Sequence, residues 1–104
     1  VIFTCLVIFA IDGDTLRCSE GPNVRLWGLD APEMHETGGN YARAVLHTLT
    51  AGSRVVCQHK GNSYNRRVGN CVREADGLNL TCAVIRAGGG IEWLRYSGGY
   101  FRGC

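Results

Sequence analysis

Four acids and two arginines fall in two short motifs near the start of the chain and a third further on. Ile11-Asp12-Gly13-Asp14-Thr15-Leu16 is followed by Val24-Arg25-Leu26-Trp27-Gly28-Leu29-Asp30-Ala31-Pro32-Glu33, and Tyr64-Asn65-Arg66 comes later. Neighbouring carboxylates repel and are costly to desolvate unless positive charge lies between them, and a divalent cation answers that need. Two guanidinium groups near the same ion point to an anionic ligand, most simply a phosphodiester gripped by the arginine forks. An EF-hand is excluded: counting from Asp12 puts Asn23 at the twelfth place and counting from Asp14 puts Arg25 there, and neither is the Glu that loop requires.

The bulk properties narrow the setting. A chain of 104 residues fits a single domain spanning residues 1–104 with one modest core. Its net charge of +2 is too weak to mark a nucleic-acid binder by composition, so that reading depends on where the arginines fall. Six cysteines with no Cys-x-x-Cys pair suit a three-disulfide exported protein, secreted or periplasmic, better than a zinc or redox site. Sequence order suggests the local pairs Cys5–Cys18, Cys57–Cys71 and Cys82–Cys104, one of 15 possible connectivities. The apolar run over residues 1–11 has no basic segment before it and is too short to span a membrane, so neither a signal peptide nor a membrane span is expected.

Positioning these residues requires a scaffold. Asp12-Gly13 between apolar runs predicts a hairpin within residues 1–18, and residues 24–29 read as a third strand, apolar except for Arg25. Ala42, Val45, Leu46 and Leu49 mark one face of a helix over residues 39–52. Residues 54–58 and 68–73 read as two more strands joined by a polar loop over 59–65. Leu80, Ala83, Val84 and Ala87 mark a second helix, stopping at Gly88, with Cys82 on its opposite face, where a returning tail could reach it. Residues 91–104 have no clean period and are assigned no element. Trp27 and Leu29 are expected in the core, and His35, His47 and His59 in solvent. Five strands with a helix after the third predict a β-barrel with packed helices (α+β), a five-stranded OB-fold stabilised by disulfides.

The three motifs, in this order and spacing, resemble the staphylococcal nuclease (thermonuclease) family over roughly residues 8–88. Any one of them is weak, and an acid in Asp12-Gly13-Asp14 taken singly is an ordinary turn former. The resemblance implies the five-stranded barrel of that family and calcium-dependent hydrolysis of DNA and RNA. Carried over by position, Asp14 and Asp30 match the calcium-binding carboxylates, and Ala31 matches the residue offering its carbonyl. Glu33 matches the general base, and Arg25 and Arg66 match the guanidinium groups that hold the phosphate. Tyr64 matches a substrate-pocket residue, while Ser63 and Asn65 depart from the Lys and Gly of the family pattern. Trp93 and Tyr96 are counterparts of its stacking aromatics. The resemblance thus implies Ca2+ as cofactor and DNA and RNA as partners, single strands favoured, for a monomer. The alternative is a catalytically inactive barrel that binds nucleic acid or a protein.

Overall fold

In β1 (Ile2–Ala10), Phe3, Cys5 and Val7 point inward while Ile2, Thr4, Leu6 and Ile8 face out, the period-two pattern of a strand with one buried face. The computed structural model describes residues 1–104 and closes this strand into a five-stranded barrel. The other barrel strands are β2 (Thr15–Cys18), β3 (Val24–Leu26), β5 (Arg54–Ser63) and β6 (Arg66–Arg73), in the spatial order β1-β2-β3-β6-β5. All neighbouring pairs are antiparallel except β3 with β6, which run parallel. Closure leaves no free sheet edge. Leu16, Leu26, Leu29, Val55, Leu46, Leu80 and Val84 fill the interior. The last three come from two helices, α1 (Gly39–Thr50) and α2 (Leu80–Arg86), which cover the barrel. Asn79 caps α2 by accepting the Cys82 N–H at 3.1 Å.

The three disulfides pair as the order of the cysteines suggested: Cys5–Cys18 ties β1 to β2, Cys57–Cys71 ties β5 to β6, and Cys82–Cys104 ties α2 to the tail. No helix is long and apolar enough to cross a membrane.

The structure departs from the sequence reading in several places. The third strand stops at Leu26, because Gly28 takes a left-handed turn (φ 77°). A Cβ on Gly28 would come within 2.6 Å of the Phe101 ring, so the turn demands glycine on two counts. Beyond it, β4 (Leu29–Asp30) leaves the barrel and pairs with β7 (Ile91–Glu92) in a separate two-stranded sheet. The tail therefore contains structure: β7, then the short α3 (Leu94–Ser97). The supposed polar loop over 59–65 is mostly strand, with β5 running to Ser63 and only Tyr64-Asn65 forming the turn into β6.

Trp27 is half-buried instead of sitting in the core, with Lys60 on its ring and Tyr100 and Phe101 edge-on to it. His47 and His59 are half-buried too. Nδ1 of His47 accepts the Ala10 N–H at 3.2 Å, and His59 packs edge-on against Phe3, leaving only His35 in solvent.

Candidate active site

Asp14 stands at the end of the turn between β1 and β2, its N–H bound to Asp12 Oδ1 at 3.0 Å and its carbonyl accepting the Leu26 N–H at 2.8 Å. That second bond, with the pairing of Thr15 and Arg25 across β2 and β3, brings the first motif against the second. Arg25 reaches Asp14 Oδ2 with Nη2 at 3.3 Å and the Leu29 carbonyl at 3.5 Å. Its guanidinium also lies 5.1 Å from the centre of the Trp93 ring. Trp93 is placed there because its N–H donates to the Gly28 carbonyl at 2.7 Å, just after the β4–β7 pairing. A strand arginine that would be costly to bury unpaired thus has a carboxylate, a carbonyl and an aromatic face.

A polar cleft of about 380 Å³ opens here, lined by Asp12, Asp14, Arg25, Asp30, Glu33 and Arg66, with Ala31, Pro32, Glu36 and Trp93 completing its wall. The six residues expected at the metal and the scissile phosphate, Asp14, Asp30, Ala31, Arg25, Glu33 and Arg66, therefore all line one cavity. Arg66 sits at the start of β6 with Nη2 donating to Ser63 Oγ at 3.0 Å, so the residue in place of the expected lysine holds the guanidinium. Glu33 is exposed, 3.7 Å from His35 Nδ1. Its backbone is fixed by a turn in which Glu36 Oε1 accepts the Glu33 N–H at 2.7 Å and the Glu33 carbonyl accepts the Glu36 N–H at 2.9 Å.

Asp14 is nearly inaccessible, at 7% of its surface. Burial first, then the hydrogen bond and charge of Asp12, push its carboxyl up to about 7, against the opposing pull of Arg25 and Thr15. Arg25 thus offsets only part of what burial and Asp12 do to this carboxyl. Nowhere do three or more His, Cys, Asp or Glu side chains gather at ligand spacing. A cation here would be held by fewer side chains: the carboxylates of Asp14 and Asp30, the Ala31 carbonyl and water. These are all hard oxygen donors, a set that fits calcium and excludes soft-metal chemistry.

Of the remaining candidates only Trp93 borders this cleft. Trp93 also lines a second, adjoining cleft of about 240 Å³, where Tyr96 stands edge-on to it with ring centres 4.7 Å apart. Tyr64 lines neither of these clefts. It is at the hairpin tip, 97% exposed and left-handed (φ 57°). Three residues in the two clefts escaped the sequence reading. Asp12, read as a turn former, makes its turn and also faces the polar cleft; Glu36 braces Glu33; Lys60 covers Trp27. The spacing of Glu33 and Glu36 carried a usable signal, since an acid three residues on can reach back to an amide at the start of a turn. Nothing in the sequence marked Lys60.

No protein-family model matches the chain. Over 95 residues it is 30% identical to a protein of Escherichia coli O157:H7 named as an uncharacterized endonuclease, an alignment covering 88% of this chain and 61% of the relative. The chain is similar to proteins named as endonucleases. A second such relative, from Haemophilus influenzae, is 30% identical over 99 residues, covering 90% of this chain and 54% of that protein. The chain thus spans about three-fifths or less of the curated relatives it matches.

Proposed function

We propose that the chain is a nuclease domain of the staphylococcal nuclease type, hydrolysing phosphodiester bonds of DNA and RNA with little sequence preference and depending on calcium. The observation that carries this reading is the convergence of Asp14, Arg25, Asp30, Ala31, Glu33 and Arg66 on one cleft. The names of the similar proteins support it. The order β1-β2-β3-β6-β5, with its single parallel pair, supports taking the barrel as an OB-fold.

On this reading Glu33 accepts the proton of the water that attacks phosphorus, a role suited to a carboxylate on the solvent side of the cleft. Arg25 and Arg66 bind the phosphoryl oxygens and gain strength as negative charge builds in the five-coordinate transition state, which raises rate where uniform binding would not. Arg25 is pre-oriented by Asp14 and Trp93, so little reorganisation accompanies the reaction. Arg66 must release Ser63 or share its guanidinium with the substrate. When bound by Asp14, Asp30 and Ala31, calcium would supply Lewis-acid polarisation of the phosphate. Trp93 and Tyr96 offer stacking surfaces for bases, a sequence-tolerant contact that favours single strands. Three disulfides suit an oxidising compartment, secreted or periplasmic, and we take the chain to act as a monomer.

The engagement of Arg66 by its own hairpin favours a second reading, a barrel that binds nucleic acid without cutting it. Hydrolysis of heat-denatured DNA by the oxidised protein, with calcium and then with a chelator, separates the two. Cleavage that the chelator abolishes is expected; binding without cleavage would leave only the second reading.

A further inference from the structure

Glu33 sits in the irregular stretch between the end of β4 at Asp30 and the start of α1 at Gly39, where no strand or helix fixes it. Its side chain is 73% exposed, with His35 Nδ1 at 3.7 Å. A carboxylate so open takes little direction from packing, and its orientation has to come from the backbone. Three hydrogen bonds tie this stretch to itself and to α1, and Glu36 takes part in each. Its Oε1 accepts the Glu33 N–H at 2.7 Å, its N–H donates to the Glu33 carbonyl at 2.9 Å, and its carbonyl accepts the Gly39 N–H at 3.0 Å.

The first two of these bonds fall on the two peptide units that flank the Glu33 Cα. One residue therefore governs both backbone dihedrals of Glu33, and with them the direction of its Cα–Cβ bond. Pro32 stiffens the chain on the other side, because its ring locks its own φ. The arrangement is that of a capping box, in which a Glu or Gln three residues on reaches back to an amide that the turn leaves without a partner. A side-chain carbonyl of the right reach meets that need whether or not it carries charge. Glu36 also borders the polar cleft, so a direct effect of its charge on the cleft is the rival account.

We propose that Glu36 is the positioning residue for Glu33: by holding the Glu33 amide it aims that carboxylate at the attacking water, and it acts through the reach of its side chain and not its charge. The role given to Glu33 is that of the nuclease reading, on which this inference rests. A base must stand within hydrogen-bond reach of the proton it takes, and a displacement of about 1 Å is enough to slow the reaction severely. Grip on the substrate phosphate falls to Arg25 and Arg66, which Glu36 does not touch. Loss of the brace should therefore lower kcat and leave KM nearly unchanged.

Three substitutions separate reach from charge. Glu36→Gln keeps a side-chain carbonyl at the same reach without the charge, Glu36→Asp keeps the charge one methylene short, and Glu36→Ala keeps neither. On denatured DNA with calcium, kcat should fall about tenfold in Glu36→Asp and Glu36→Ala and stay within about twofold of wild type in Glu36→Gln, with KM moving less than about twofold throughout. In chelator, the Glu33 amide should exchange with solvent about tenfold faster in Glu36→Asp and Glu36→Ala, and at the wild-type rate in Glu36→Gln. The calcium-induced rise in melting temperature should be the same in all three as in the wild type. Glu36→Gln as slow as Glu36→Ala, or Glu36→Asp at full rate, would overturn the proposal in favour of a charge acting on the cleft. A lost response to calcium would overturn it too, by placing Glu36 on the cation. Cleavage with unchanged kcat in Glu36→Ala removes this inference alone, whereas a wild type that shows the amide exchange described but cuts nothing removes the nuclease reading and the positioning role with it.

Discussion

Asp14 is a carboxyl in tension with its surroundings. Its titration near 7 in the folded chain, against an ordinary value of 3.8, means that the folded state holds this proton more tightly than the unfolded state does. The contribution of Asp14 to stability without metal is therefore present in full only below about pH 4 and is lost progressively as pH rises to about 7, because the unfolded chain ionises first. The melting temperature of the chelated protein should fall between pH 5 and pH 8, and Asp14→Asn should flatten that fall while abolishing any gain from added calcium. An equally steep fall in the variant would assign the pH dependence to another group. For Glu33, replacement by Gln should lower turnover on denatured DNA by about 10²-fold or more with nucleotide affinity retained. Full activity would remove Glu33 from the base role. Asp14, Arg25 and Asp30 could be read from the chain because their types are unusual where they stand, acids beside acids and an arginine within an apolar strand. Lys60 could not, since an isolated lysine in a polar segment looks like any solvated one, and only the bulge between His59 and Gly61 sets it against Trp27.

At the scale of elements, the turn carrying Glu33 and the first residue of α1 are packed so closely that a Cβ on Gly39 would collide with the Glu33 carbonyl. Gly39→Ala should cost about 1–3 kcal/mol of stability by overpacking. Activity should drop further than the residual folded fraction explains, as seen by comparing denaturant midpoints with rates. The other dependent element is the tail. β7 and α3 are short, and residues 91–104 are held by a two-residue strand pairing, the Glu92 carboxylate accepting the Ser97 hydroxyl and the Phe101 N–H, and the Cys82–Cys104 bridge. Replacing both cysteines by Ala should cost about 3 kcal/mol, given the 22-residue separation. It should also weaken oligonucleotide binding more than it slows the reaction of bound substrate, because Trp93 loses its fixed position. These elements explain the limits of the sequence reading. β1, α1 and α2 announce themselves through alternation or a helical stripe. The end of β5 has no buried side chain from Gln58 to Ser63, so its strand carries no pattern. β4 and β7 are two residues each and exist only through each other, across sixty residues of chain.

For the whole molecule, closure of the barrel and three covalent ties add rigidity to what the core supplies. A cation bound to the native state only should raise the melting temperature with its concentration, by several degrees at saturating calcium. No response to calcium at pH 8, where Asp14 is ionised, would count against the proposed cofactor. The β1–β2 hairpin and the pairing of the cysteines were legible because in each case segments close in the chain meet. The junction of the two clefts was not, because it is made by the tail folding back on the turn after β3. The Cys82–Cys104 tie fastens the far end of the tail that carries Trp93. Until that bridge forms, the wall shared by the two clefts lacks its clasp, so the reduced chain should present that wall in many arrangements where the oxidised chain presents one.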